Sequence, residues 1–226
     1  MLRLPQNTAD WSLWHAGLML FSGAAALLGA GLSMLFLSYI ASMYLAMVFA
    51  RLEDPSMPRW TVANGVTALR LITLGMLLTR LPSAYSVGLQ GWVDNADLIA
   101  LGTMALILDG FDGLAARRQG NATPFGARFD METDALWAWS LSIAWFNLGL
   151  APGVVLLAGA LRYLFVLFVV ARRPAGRDAK RRLAPRIIAV VYMAVLLTPL
   201  AIPAPLVLSL LYIGSGAIVV SFLRYR

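Results

Sequence analysis

The sequence contains no cysteine, and its only histidine is His15. Disulfides, thiolate metal centres and a cysteine nucleophile are therefore excluded. A zinc site built on several imidazoles goes with them. Charge is scarce too: 13% of residues are charged, against about 25% in ordinary soluble domains. The chain shows no internal repeat, no low-complexity tract and no stretch that reads as a soluble domain. A cleavable signal peptide is not expected, because Asp10 and His15 interrupt the N-terminal region and the apolar run after them is far too long.

What fills the chain is apolar. The hydrophobic fraction is 60% and mean hydropathy is +0.76, which describes an all-α integral membrane protein embedded in the lipid bilayer. The formal charge of +7 then belongs to loops that face anionic lipid and phosphorylated ligands, and nucleic acid is not expected as a partner.

Apolar runs lie at 12–50, 62–79, 98–116, 130–149, 153–171, 186–202 and 204–223. The first is too long for one span, since its length at about 1.5 Å per residue would reach about 59 Å against a hydrocarbon core of roughly 30 Å. A split near Gly29-Ala30-Gly31 gives two short spans and about eight in all. A single tilted span preceded by an interfacial helix, entered through Trp11, Trp14 and His15, is the alternative. Pro55 and Pro58 punctuate the linker that follows. The chain is thus expected to divide into N-terminal membrane helices and linker over 1–58 and a six-span core over 59–226. The small residues Gly23 to Ala26 and Gly29 to Gly31 suit close helix packing in lipid.

With a cytoplasmic N-terminus, fifteen of the eighteen basic residues fall in cytoplasmic segments, among them the run from Arg172 to Arg186. Arg80 alone stays on the other side, and Arg70 and Arg162 lie within spans. By the positive-inside rule this places the most unusual feature of the chain at the cytoplasmic face. That feature is a set of four aspartates: Asp109-Gly-Phe-Asp112-Gly113-Leu-Ala-Ala116-Arg117, then eight residues, then Gly126-x-x-x-Asp130-x-x-x-Asp134. An acid near the centre of a membrane helix costs about 2.5–3.5 kcal/mol on insertion scales, so four together require positive partners.

Asp109 and Asp112 are three apart and Asp130 and Asp134 four apart, so each pair shares a helix face. Gly120, Asn121 and Pro124 suit a turn that folds the two helices together. Two facing carboxylate pairs make a hard, all-oxygen site matched to Mg2+, Mn2+ or Ca2+. Gly113, Ala116 and Gly126 are small where bulk would obstruct a ligand. Arg117 can fork onto a phosphate. Carboxylates, metal, arginine and small residues together describe pyrophosphate chemistry at a membrane surface.

The string from Asp109 to Asp134 resembles the signature of the CDP-alcohol phosphotransferase (CDP-alcohol phosphatidyltransferase) family, with all eight signature positions present. The resemblance implies a six-helix bundle, here with an extra N-terminal pair of helices. It implies transfer of a phospho-alcohol unit from a CDP-linked donor, foremost CDP-diacylglycerol, to the hydroxyl of a small alcohol or polyol phosphate, with release of CMP. It further implies that Asp109, Asp112 and Asp130 bind two divalent metal ions, Mg2+ or Mn2+, and that Asp134, beside that centre, is the general base. Gly113, Ala116, Arg117 and Gly126 would line the nucleotide and its phosphates. Asn64, Thr67 and Arg70, at positions where the family carries the same residue types near the cytidine, would join them, and their spacing of three puts them on one helical face. Members commonly form homodimers. The expected location is the inner membrane of a bacterium, with the site at the cytoplasmic face.

Arg172, Arg177, Lys180 and Arg186 fit binding of a phosphorylated acceptor, and positive-inside topology accounts for the same charge. Arg162 fits either an acceptor phosphate or a snorkelling structural role. The sequence departs from the phosphatidylglycerophosphate synthases of the family at Ala135, where they tend to carry lysine. Glu132 is expected off the Asp130/Asp134 face as a solvated or supporting carboxylate, His15 at the interface, and Trp137, Trp139 and Trp145 in packing or lipid contact. Two other functions fit part of the pattern. One is a transferase that uses a soluble CDP-alcohol and a lipid acceptor; the other is an ion or phosphate transporter, whose charges would gather near the midplane.

Overall fold

A computed structural model describes residues 8–56, 61–86, 96–119, 123–168, 191–200 and 204–224. Within those helices, the side chains of 8–9, 82–86, 109–119, 204–205 and 222–224 lie outside the description. The described residues are helical, with no strand among them. The helices are α1 (Thr8–Ala25), α2 (Leu32–Glu53), α3 (Val62–Ser86), α4 (Ala96–Gln119), α5 (Pro124–Asn147), α6 (Gly153–Phe168), α7 (Val191–Leu200, its last turn tightened to a 3-10 helix) and α8 (Ala204–Arg224).

The long first run does divide at its glycines. α1 ends in a widened turn over Ala26–Ala30, where Gly29 takes φ 103° and Gly31 takes φ 79°. A residue with a Cβ pays heavily for such angles, so glycine at these two places is what lets the chain reverse. A Cβ on Gly29 would touch nothing within 4 Å, so this residue serves conformation and not the close packing expected of it. Gly23 does serve packing: a Cβ there would collide with the indole of Trp139.

Among the described residues three stretches, Asp10–Ala30, Leu32–Glu53 and Val62–Leu81, are long and apolar enough to cross a membrane, and shorter apolar stretches lie in α4, α6, α7 and α8. The bundle centres on α5, whose residues Leu136, Leu141, Ile143 and Trp145 are all fully buried. α5 packs against α2, α3 and α6, and α1 packs against α2 and α6. The tryptophans pin these contacts. Trp11 Nε1 donates to Ser42 O at 2.9 Å, Trp139 Nε1 to Met19 O at 3.1 Å and Trp145 Nε1 to Leu196 O at 2.7 Å. Trp137, Trp139 and Trp145 are thus packing residues, at most 4% exposed.

Local signals set both ends of α5. Thr123 caps it, its Oγ1 accepting from Gly126 N at 3.0 Å, and Pro124 occupies the first turn. Pro124, expected within the connecting turn, therefore opens the helix, since its fixed φ suits that position and its missing N–H costs nothing there. At the other end Leu150 N donates to Trp145 O and Gly149 N to Phe146 O, with Gly149 at φ 71°. These are the paired bonds of a glycine-terminated Schellman motif. The early start puts Gly126, Asp130 and Asp134 on one continuous helix.

Candidate active site

α3 is the helix that organises the site, because it packs against both acid-bearing helices, α4 and α5. Thr61 caps its start, accepting from Asn64 N at 3.2 Å. Asn64, Thr67 and Arg70 follow at intervals of three, and each is only 2% exposed. The expected shared face is therefore real, and it is turned into the protein. Thr67 spends its hydroxyl on Ala63 O at 3.1 Å.

Arg70 holds the acidic pair. Its Nη1 donates to Asp130 Oδ1 at 2.7 Å, and its Nη2 donates to Asp134 Oδ1. The guanidinium side chain is 3% exposed, whereas those of Asp130 and Asp134 are 38% and 42% exposed. The arginine thus lies beneath two carboxylates that still present oxygen to the outside. A planar fork spanning residues one turn apart is a geometry that lysine could not reproduce. Because the charge is shielded from water, the attraction is less screened than at a surface.

Asn64 meets α5 at Gly126. A Cβ on Gly126 would come within 2.7 Å of Asn64 Oδ1 and 3.0 Å of Thr123 Oγ1. Asn64 Oδ1 is buried and has no hydrogen-bond partner among the described residues. The small residue at 126 is thus required by its neighbouring side chains.

Asp109, Asp112, Gly113, Ala116 and Arg117 all lie on α4, and their side chains are outside the described residues. Arg172, Arg177, Lys180 and Arg186 lie outside the described residues altogether. Among the described residues no three metal-binding side chains gather. Asp130 and Asp134 nevertheless fit a hard cation: both are carboxylates, one turn apart and partly open.

Of the two readings of Glu132, solvated or supporting, the structure fits the second: it is 3% exposed, with Oε1 accepting from Arg162 Nη2 at 2.6 Å. One expectation needs correction. His15 is not interfacial but 1% exposed, its Nε2 lying 3.5 Å from Glu132 Oε2. Arg162 is accordingly paired with Glu132, its side chain 26% exposed. The missed signal was chemical: His15, Glu132 and Arg162 are ionisable groups in apolar helices, and such groups survive there by finding one another.

The fold is that of a helical integral membrane protein, and its candidate site sets two partly open carboxylates on a buried arginine. The family profile for CDP-alcohol phosphatidyltransferase matches residues 60–222, most of the chain, and the protein belongs to that family. No curated protein and no solved structure matches it significantly. Family membership assigns it transfer of a phosphatidyl group from a CDP-alcohol to an acceptor.

Proposed function

We propose that the donor is CDP-diacylglycerol and the acceptor a small alcohol or polyol phosphate, and that the reaction runs at the cytoplasmic face of a bacterial inner membrane crossed about eight times. The observation that carries this reading is the fork of Arg70 onto Asp130 and Asp134. It holds Asp130 and Asp134, the second half of the aspartate signature, together while both side chains stay partly exposed. The apolar groove along α4, about 560 Å3 and lined by Ile99, Met104, Ile107 and Leu108, suits an acyl chain and ends beside Asp109 in the sequence.

In this reading Asp109, Asp112 and Asp130 hold two divalent cations, which when bound neutralise the donor pyrophosphate. Asp134 accepts the proton of the acceptor hydroxyl. The acceptor oxygen bonds to the phosphatidyl phosphorus, the bond from that phosphorus to the CMP oxygen breaks, and CMP carries away the electron pair. Asn64, Thr67, Gly113, Ala116 and Arg117 line the nucleotide side, with Gly126 leaving room for Asn64. Arg70 keeps Asp130 and Asp134 aligned, and the basic segment 172–186 receives the acceptor phosphate.

The test is CMP release by purified protein with CDP-diacylglycerol against a panel of alcohols and their phosphates, with and without Mg2+ or Mn2+. Metal-dependent release with a phosphorylated alcohol is the expected result. Release only from a soluble CDP-alcohol with diacylglycerol would reverse the donor and acceptor. Ion or phosphate flux without CMP release would overturn the transferase reading.

A further inference from the structure

Glu132 lies between Asp130 and Asp134 in sequence but faces the other way, into the protein, at 3% exposure. Helices from two sides reach it. From α6, Arg162 Nη2 donates to Oε1 at 2.6 Å. From α1, His15 Nε2 stands 3.5 Å from Oε2, and neither of these two buried atoms has a closer partner among the described residues.

His15 is itself tightly held. Its Nδ1 shares a 2.7 Å hydrogen bond with Ser42 Oγ of α2. Trp11 stacks on the ring at 4.8 Å, and Tyr39 and Tyr163 meet it edge-on at 6.0 and 5.8 Å. One residue further along α5, Thr133 gives its proton to Phe129 O at 2.8 Å and so accepts from Tyr39 of α2 at 2.6 Å. Glu132 and Thr133 are therefore held by hydrogen bonds from α6 and α2, with His15 of α1 packed 3.5 Å from Glu132, while Asp130 and Asp134 are held from α3.

We propose that His15 is a positioning residue that sets the rotation of α5 through Glu132, and thereby aims Asp130 and Asp134. A helix turns as a unit, so a rotation of about 20° moves a carboxylate at its rim by on the order of 2 Å. Misplacement of about 1 Å can cost about 100-fold in rate. The N-terminal helices, which precede the segment matching the family, are then part of the working site and not an appendage. The inference rests on the reading of Asp130 and Asp134 as the reacting pair.

The test compares the full chain in detergent as wild type, His15→Leu and His15→Gln. Gln reaches about as far as Nε2 and can turn an N–H toward Glu132. For His15→Leu, kcat for CMP release should fall about 10- to 100-fold with KM for the CDP-alcohol within about twofold. His15→Gln should recover kcat to within about threefold of wild type. A second readout needs no turnover: spin labels at Leu69→Cys and Met131→Cys, positions 40% and 44% exposed in a chain without native cysteine. The distance distribution should be narrow in wild type and His15→Gln, and displaced or broadened in His15→Leu.

An unchanged distribution in His15→Leu overturns the proposal whether or not kcat falls. So does an equal loss in the Leu and Gln variants. A wild type that releases no CMP, with distances that respond as expected, refutes the transferase reading while the coupling of His15 to α5 stands.

Discussion

Arg70 binds Asp130 from below: the guanidinium is 3% exposed, the carboxylate it contacts at 2.7 Å is 38% exposed, and the second arm of the fork holds Asp134. Burial of the cation and openness of the anions is the arrangement expected where carboxylates must be both aligned and reachable. Removing the arginine leaves two acids side by side without their counter-charge, and like charges in one site resist ionising together.

Arg70→Lys keeps the charge and loses the fork. Turnover should fall at least about 100-fold, because a single ammonium cannot align both carboxylates. Stability should drop by about 1.5–3 kcal/mol, the range for a lost hydrogen bond to a charged group. CMP-release kinetics and thermal unfolding in detergent, measured on the same preparation, check both; wild-type turnover in the lysine variant would refute the alignment role.

Gly126→Ala tests the contact with Asn64. The added methyl would sit 2.7 Å from Asn64 Oδ1, so the asparagine must swing away from a position that is 2% exposed. The effect should be selective: KM for the CDP-alcohol rises about tenfold, equivalent to about 1.4 kcal/mol of lost binding. Titration of donor at saturating acceptor measures it, and an unchanged KM would place Asn64 outside the donor site.

Much of this architecture is legible in the sequence because lipid leaves few choices. The split at Gly29 and Gly31 follows from a run too long for one span. The convergence of Asn64, Thr67 and Arg70 on one face follows from helical spacing. What spacing could not give is which face points where. Arg70 pairs with Asp130 and Asp134 across sixty or more residues, a contact set by how α3 packs on α5. Glu132 follows the same logic: its turn away from the aspartates is visible in the helical period, but its burial depends on how α1 and α6 pack on α5.

Gly23 and Trp139 test how firmly α1 is docked. The indole lies against the bare backbone of Gly23 and donates to Met19 O at 3.1 Å. Gly23→Leu should therefore displace Trp139 and destabilise the protein by about 1–3 kcal/mol, the usual cost of overpacking. Trp139→Phe should cost about 1 kcal/mol for the hydrogen bond, with a further loss of packing. Thermal unfolding of the two variants reports both, and unaltered stability in Gly23→Leu would show that α1 is not seated on α5.

Asp134→Asn separates geometry from chemistry. The amide is nearly the same shape, and its oxygen can still accept from Arg70, whose other arm remains on Asp130. The fold should persist, with unfolding shifted by no more than about 1 kcal/mol. The amide cannot take a proton from the acceptor hydroxyl, so turnover should fall by about 100- to 10,000-fold, the span associated with losing a general base. Donor binding should survive, since that function is assigned chiefly to other residues. Equilibrium binding of a CDP-alcohol alongside CMP release makes the distinction: loss of both would place Asp134 among the donor ligands, and loss of turnover alone identifies it as the base.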